Sequence, residues 1–432
     1  MACNLLQNFF SVTNTKNKKY KVITACGIKI KLKRGKYQLK LYRSYSKRYK
    51  RVLQKLQQEK YNRKIRVAFY VNDTKWKYQN LYNLLLSSRF YTPFIIVGKS
   101  DVPETCIEYQ TRNEVMEIFD FFRSKNMETY LAYNFEENKP VNLQTFSPDI
   151  IFYSRHWRLY REHDIKFVSK FALTCYVPYF ISNSPVKIEA GYDFHNTVWK
   201  YYVINEDLKE EYSHYMQNAG DNLRAVGYPN LDNYLKISDA DKKYVIYAPH
   251  WSVGGGTLLN YATFEWNGKY ILNFAKEHPE LNWIFKPHPR LQKELVFKDI
   301  LSEQEVEEYY NEWKNIGIKY EGPDYIELFK QSKVLITDCG SFLTEYMPSK
   351  NPVILLCSGI ARPYNFLAQK VTRYYYHAHN LGELSIFLEE VVLNGIDINK
   401  DKRLEMLDSL HLVCNASKNI LNDLDKELKI EY

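Results

Sequence analysis

Three runs in the second half of the chain each set a proton-carrying or cationic side chain at the end of an apolar stretch. They are Tyr247-Ala248-Pro249-His250-Trp251, Phe285-Lys286-Pro287-His288-Pro289-Arg290, and Leu335-Ile336-Thr337-Asp338-Cys339-Gly340-Ser341, the last continuing to Glu345. His288 and Arg290 offer N–H donors and positive charge of the kind a diphosphate needs; a guanidinium binds phosphate bidentately and never loses its charge. Gly340 and Ser341 open a helical pattern, so their backbone N–H groups and the Ser341 hydroxyl can cap a phosphate. Glu345, one turn further on, is placed to accept hydrogen bonds from ribose or polyol hydroxyls. Each motif alone has an ordinary reading, Pro-His-Pro as a loop and Asp-x-Gly-Ser as a helix start. Their recurrence at three successive strand ends points instead to a nucleotide-like ligand. No G-x-G-x-x-G follows the first strand and no G-K-S/T loop is present, so the ligand is not held by either device.

The elements that must position these residues alternate between strand and helix patterns. From Ile65 the chain reads as strands at 65–71, 94–98, 129–133, 148–153, 198–204 and 223–229, with helices at 78–88 and 112–124 between them. After a polar stretch, 236–243, the alternation restarts: strands at 244–248, 282–286, 318–321, 334–338 and 353–356, helices at 270–278, 303–313 and 325–331. Such alternation predicts parallel sheets covered on both faces. The expected architecture is α/β and GT-B-like: two doubly wound Rossmann-like domains facing a cleft, with a basic N-terminal helical arm. The expected boundaries are 1–64 for the arm, 65–235 for an acceptor-side domain, 236–400 for a donor-binding domain, and 401–432 for a C-terminal helix. Ligands of such sheets gather at the carboxyl ends of strands.

Charge is unevenly spread. The chain has 60 Lys and Arg against 50 Asp and Glu, but residues 1–66 hold 20 of the basic residues and only Glu59 among the acidic ones. Residues 37–61 lack Gly and Pro and read as a helix. Leu39, Tyr42, Tyr49, Val52, Leu53 and Leu56 fall on one face, with Lys40, Arg43, Lys47, Lys50 and Lys55 around the rest. A basic amphipathic helix of this kind is expected to lie on an anionic membrane surface. Two other readings stand beside it: the apolar stripe docks on the body of the protein, or the charge attracts nucleic acid, for which no accompanying recognition motif is present. Ahead of the helix, residues 21–32 alternate apolar and Lys residues after Gly27, as a short strand or hairpin with a charged face would.

No stretch reaches the roughly 20 apolar residues of a spanning helix, and no signal peptide is read at the N-terminus; a cytoplasmic protein on the inner face of the membrane is expected. The seven cysteines are scattered with no C-x-x-C pair, so neither disulfides nor a zinc cluster is expected, and Asp239-Ala240-Asp241 lies in the polar linker. No metal or other cofactor is expected.

The three motifs resemble those of the CDP-glycerol glycerophosphotransferase family, the teichoic-acid polymerase and primase group with a GT-B fold. Its members carry Tyr-Ala-Pro-Thr-Trp, Lys-x-His-Pro, and Thr-Asp-Tyr-Ser-Ser followed four residues on by Asp. This chain has Tyr-Ala-Pro-His-Trp at 247–251, Lys-Pro-His-Pro at 286–289, and Thr-Asp-Cys-Gly-Ser at 337–341 with Glu345 at the later acidic position. The resemblance, covering about 240–360, implies that His288, Arg290 and Ser341 contact the donor's phosphates within a set that includes Asp338 and Gly340. It implies that Glu345 stands near the donor, and that transfer proceeds without a metal. The first half departs from the pattern. Where members show Trp-His-Gly-Thr-Pro-Leu-Lys, with a His as general base, the corresponding stretch is Ile181-Ser182-Asn183-Ser184-Pro185-Val186-Lys187. Asn183 cannot take a proton at neutral pH. His195 and Asp193 are the nearby substitutes, and His250, in place of the family's Thr, is a further catalytic candidate.

The resemblance implies transfer of glycerophosphate, or a related phosphorylated polyol, from a CDP-activated donor to an envelope or capsular polymer or its lipid-linked acceptor. A nucleotide-sugar glycosyltransferase on the same fold is the alternative, and a membrane- or RNA-bound scaffold without catalysis is the alternative outside enzymes. No nucleic-acid partner is expected from the favoured reading.

Overall fold

The computed structural model describes all residues except 1–9, 15–19, 26–27, 34–35, 107–108, 233, 235–240, 258, 321, 323–324 and 432. The 235/236 boundary, Asp239 and much of the polar linker fall outside the described residues. The chain divides into two compact units: one of Met1–Tyr179, Val186–Pro229 and Val413–Tyr432, the other of Phe180–Pro185 and Asn230–Leu412. The arm and the last helix therefore belong to the first unit, and residues 180–185 to the second.

The first unit is built on a seven-stranded parallel sheet. Its order is Leu223–Ala225, Lys200–Val203, Leu173–Tyr176, Ile150–Tyr153, Ile65–Val71, Tyr91–Val97 and Thr129–Leu131. The chain starts in the middle and winds outward both ways, so the order reverses between Ile65–Val71 and Ile150–Tyr153. Strands buried on both faces read as unbroken apolar runs, and Ile65, Val67, Phe69, Ile150 and Phe152 are all buried. Phe69 stacks on Phe152 across the ladder, with ring centroids 5.1 Å apart. The helix Arg112–Ser124 begins at a capping box in which Thr111 and Glu114 satisfy each other's backbone N–H groups.

The arm's helix spans Lys36–Glu59, and its stripe packs on protein. Tyr45, Tyr49 and Leu56 are only 6%, 4% and 1% exposed. The Tyr49 hydroxyl lies 2.6 Å from Thr174 Oγ1 and donates to the Thr197 carbonyl at 3.0 Å, while Tyr42 donates to Gln217. Docking on the body thus accounts for the apolar periodicity, and insertion of that stripe into lipid is not available to it. Arg43, Lys47, Lys50, Arg51 and Lys55 remain exposed. The predicted hairpin is present as Tyr20–Ala25 against Ile28–Lys33, joined by Phe10–Asn14. Leu56→Ala should destabilise the first unit by about 2–5 kcal/mol, the usual cost of emptying a core leucine site. A guanidinium titration followed by the first unit's own transition would reveal it; an unchanged midpoint would mean that the helix is not part of that unit's core.

The arm is closed by the other end of the chain. Lys60 Nζ donates to the Leu428 carbonyl at 3.1 Å, and Gln57 to that of Glu427 at 2.7 Å. Lys200, almost fully buried, is paired with Asp423 and Glu427. The helix Ala416–Leu428 enters past Gly227, whose φ of +96° and 2.3 Å gap from a would-be Cβ to the Val413 carbonyl leave room for no side chain.

The second unit holds a six-stranded parallel sheet in the order Ile318–Lys319, Asn282–Phe285, Tyr244–Ala248, Ser332–Thr337, Val353–Leu356 and Tyr376–Ala378. This is the doubly wound order with its reversal between Tyr244–Ala248 and Ser332–Thr337. One face packs under the helices Phe264–Glu277 and Glu303–Ile316, with Phe285 stacked on Trp313 at 4.8 Å.

Candidate functional site

In the second unit the reversal point is fastened by one carboxylate. Asp338 leaves the strand Ser332–Thr337 and is 1% exposed. Its Oδ1 accepts from the His250 N–H at 2.6 Å, at the end of the neighbouring strand. Its Oδ2 accepts from the Thr263 N–H at 2.7 Å and the Thr263 hydroxyl at 2.8 Å. Burial pushes its carboxyl up to about 6, with these hydrogen bonds pulling the other way. Both oxygens are engaged by the protein, so Asp338 sets the spacing of the loops that carry the other candidates.

His250 and His288 sit side by side, ring centroids 5.6 Å apart. The Ser252 hydroxyl accepts from the Tyr261 and Ala262 N–H groups at 3.0 Å each, so its own proton goes to His250 Nδ1 at 2.9 Å. In the second ring, Nδ1 of His288 accepts from the Arg290 N–H at 3.1 Å. Both imidazoles therefore carry their proton on Nε2, by the logic of the surrounding network. Neutral Nε2–H groups are donors, suited to a phosphate oxygen, and this tautomer leaves His250 no free lone pair for base catalysis.

Arg290 lies with its guanidinium 3.8 Å from the Trp251 ring centroid and pairs with the buried Glu294 one turn along. That cation–π contact extends the side chain across the loop. Lys286, two residues before His288, is buried, with Nζ 5.0 Å from the Tyr325 ring centroid and 5.7 Å from that of Phe342. The Tyr325 hydroxyl in turn donates to Glu345, which is fully buried. Glu345 is thus committed to a tyrosine and is not displayed at the surface.

Gly340 and Ser341 open the short helix Gly340–Glu345. A Cβ on Gly340 would meet the Tyr261 ring at 2.9 Å, so glycine is what lets this turn approach the His250 loop; Tyr261 also contacts His250, centroids 5.9 Å apart. A chain of contacts thereby joins His288, His250, Tyr261 and Gly340. Asn183 bonds with Gly340 and Thr344: its amide N–H donates to the Gly340 carbonyl and its Oδ1 accepts from the Thr344 hydroxyl at 3.2 Å. The residue at the family's His position thus serves as a brace. A second missed feature is Gly254-Gly255-Gly256, with φ of +69°, +63° and +71°. Three consecutive left-handed residues are tolerated only by glycine, and the triplet directly after the His250 strand is a signal the sequence carried openly.

The other candidates lie in the first unit. His195 is 1% exposed; its Nδ1 donates to the Glu189 carbonyl at 2.8 Å, which leaves Nε2 an unprotonated, buried atom with no hydrogen-bond partner. Burial lowers its pKa to about 4. It is packed at 4.4 Å between ring centroids against His156, a half-buried residue just past the carboxyl end of the reversal-point strand Ile150–Tyr153. Burial, then the neighbouring His195, lowers His156 to about 3, so both rings are neutral at pH 7. Asp193 is exposed at the start of the helix Asp193–Thr197. His156 escapes a reading of the sequence, since a lone His after Ser-Arg carries no pattern.

Residues 187–361 match the family model described as CDP-glycerol:poly(glycerophosphate) glycerophosphotransferase. No curated protein matches the chain. Among solved structures, UDP-GlcNAc 2-epimerase of Neisseria meningitidis bound to UDP-GlcNAc superposes with a TM-score of 0.52 at 11% identity, over 84% of this chain and 100% of that one. The S. aureus MnaA–UDP structure gives 0.51 at 12%, over 85% and 98%. A variant of the wall teichoic acid polymerase TagF gives 0.50 at 14%, over 85% and 89%. Likeness at these identities establishes the GT-B-type fold and nothing finer.

Proposed function

We propose, taking as premise that residues 187–361 carry the CDP-glycerol:poly(glycerophosphate) glycerophosphotransferase family's region, that this protein transfers glycerophosphate from CDP-glycerol to a teichoic-acid-type polymer or its lipid-linked precursor. The observation that supports it is the chain of contacts from His288 through His250 and Tyr261 to Gly340. An acceptor hydroxyl attacks the glycerol-bearing phosphorus, a new P–O bond forms, and the bond to CMP breaks. Charge builds on the bridging and terminal phosphate oxygens, so preorganised donors supply most of the catalysis. His288 and His250 donate from Nε2, Arg290 contributes fixed charge, and Ser341 donates from its hydroxyl. The acceptor's proton is released to water as the new P–O bond forms.

Mass spectrometry of the product separates this reading from sugar transfer. With CDP-glycerol the acceptor should gain glycerol together with its phosphate, and CMP should be released. Incorporation of a sugar without phosphate from a nucleotide sugar would replace the proposal with the glycosyltransferase reading.

The same proposal puts the protein on an anionic membrane surface, where lipid-linked acceptors reside. Among the described residues no helix is long and apolar enough to cross a membrane. Support comes from the exposed cations of the arm's helix and from the strand Ile28–Lys33, where Ile28, Ile30 and Leu32 are 66%, 50% and 47% exposed. Each cation near such a surface contributes about 1 kcal/mol. Replacing Lys47, Lys50 and Lys55 by Ala should therefore weaken co-sedimentation with phosphatidylglycerol vesicles by roughly 10²-fold at low salt. Equal sedimentation of the triple variant would remove the arm from the account.

A further inference from the structure

We propose a transition-metal site of the zinc class at Cys357, His377 and His379, in the second unit and independent of the transferase reading. The register of the last two strands creates it. Leu355 pairs with His377 and Leu356 with Ala378, so Cys357 comes level with His379. Residues two apart on a strand share a face, which puts all three side chains on one side of the sheet edge. One ligand atom from each lies within 4.8 Å of the others. Cys357 Sγ and His377 Nδ1 are 3.8 Å apart. Two ligands of one tetrahedral zinc, with bonds of about 2.3 Å to sulfur and 2.0–2.1 Å to nitrogen, stand about 3.6 Å apart. The Cys357–His377 pair needs only tenths of an ångström, and the separations of up to 4.8 Å within the set close by about 1 Å.

The second imidazole nitrogen supplies an independent indication. His377 Nε2 donates to the Thr372 carbonyl at 2.7 Å; a carbonyl only accepts, so the proton is on Nε2 and the Nδ1 lone pair is aimed toward the cysteine. A carbonyl holding the far N–H of a ligating histidine is the standard outer support of metal sites. Glu383 accepts from the backbone N–H of His379 at 2.7 Å and so holds that residue in place, and water takes the fourth position. One thiolate and two imidazoles select zinc-like ions over magnesium or calcium. The separation of 20 positions between Cys357 and His377 matches no metal-binding spacing, which is why the scattered cysteines predicted no metal.

Cobalt(II) titration of the full, chelator-stripped chain tests this. The expected result is one equivalent bound, a near-ultraviolet thiolate charge-transfer band, tetrahedral visible bands, and displacement by zinc. Cys357→Ser should abolish the charge-transfer band. His379→Ala, at an exposed position that folding does not depend on, should weaken cobalt affinity at least 10-fold, within the range for loss of a ligand or its support, while leaving the metal-free thermal transition unchanged. Absence of the band, its persistence in Cys357→Ser, or equal affinity in His379→Ala would each overturn the site and leave a plain thiol–imidazole hydrogen bond.

Discussion

His288→Ala is expected to lower kcat/KM for CDP-glycerol by about 10²–10³-fold, the usual loss when one preorganised donor to a developing oxyanion is removed. The ring is half-buried and its contribution to packing is small, so the thermal transition of the second unit should stay in place. The loss should appear in kcat as well as kcat/KM, because a neutral Nε2–H gains strength as charge accumulates on phosphate. A rise in KM alone would mean that His288 binds ground and transition states equally, and no change would detach the ring from the donor site. Arg290→Lys is the informative companion. It keeps the charge that Glu294 requires but loses the planar fork and the stacking on Trp251, so activity should fall with little loss of stability.

Asp338→Asn should be the most damaging single substitution to stability in the second unit. An amide presents one acceptor where the carboxylate presents two, and its NH₂ would face N–H donors of His250 or Thr263. Leaving buried donors unmet costs about 1–3 kcal/mol each, so a loss on the order of 2–5 kcal/mol is expected, read from the second unit's denaturation midpoint. The pH dependence has a definite sign. The folded carboxyl titrates at about 6, where an aspartate in water titrates at 3.8. The native state therefore holds a proton that the unfolded chain has released. This group's contribution is present below about pH 4, is lost as pH rises toward 6, and is level above that. A gap of that size between folded and unfolded chain corresponds to about 3 kcal/mol. The difference between wild type and Asp338→Asn should narrow over that interval; a difference that widens would show a carboxyl depressed by its hydrogen bonds instead.

The strands that end in Pro-His were legible because an uninterrupted apolar run followed by a proline is how a buried parallel strand meets its loop. The helix Arg112–Ser124 was legible to the residue, its start fixed by Thr111 and Glu114. Leu173–Tyr176 was not, since it lies inside the apolar stretch 171–181 with no alternation, and only pairing with Ile150–Tyr153 distinguishes it. Tyr376–Ala378 is too short to show a period. His288, Arg290 and Ser341 could be nominated from the sequence because the chemistry that nominates them is local. The work of Asp338 and Asn183 was hidden because it consists of hydrogen bonds to residues 75 to 161 positions away. The amphipathic pattern of the arm was read correctly as a helix with one apolar face. What that face meets, Thr174 and Thr197 among others, is a tertiary fact that periodicity does not encode.

The return of Ala416–Leu428 to the first unit bears on how the protein is made. Tyr91, in the second strand of that unit's sheet, donates to Asp425, and the buried Lys200 finds its counter-charges at Asp423 and Glu427. On the ribosome these partners emerge after the whole of residues 230–412. The part translated first is therefore the part completed last, and during that interval Lys200 sits in a sheet whose strands are all made but without its carboxylates. Domains usually finish in the order of synthesis. Here the second unit can close on itself while the first still awaits the helix Ala416–Leu428.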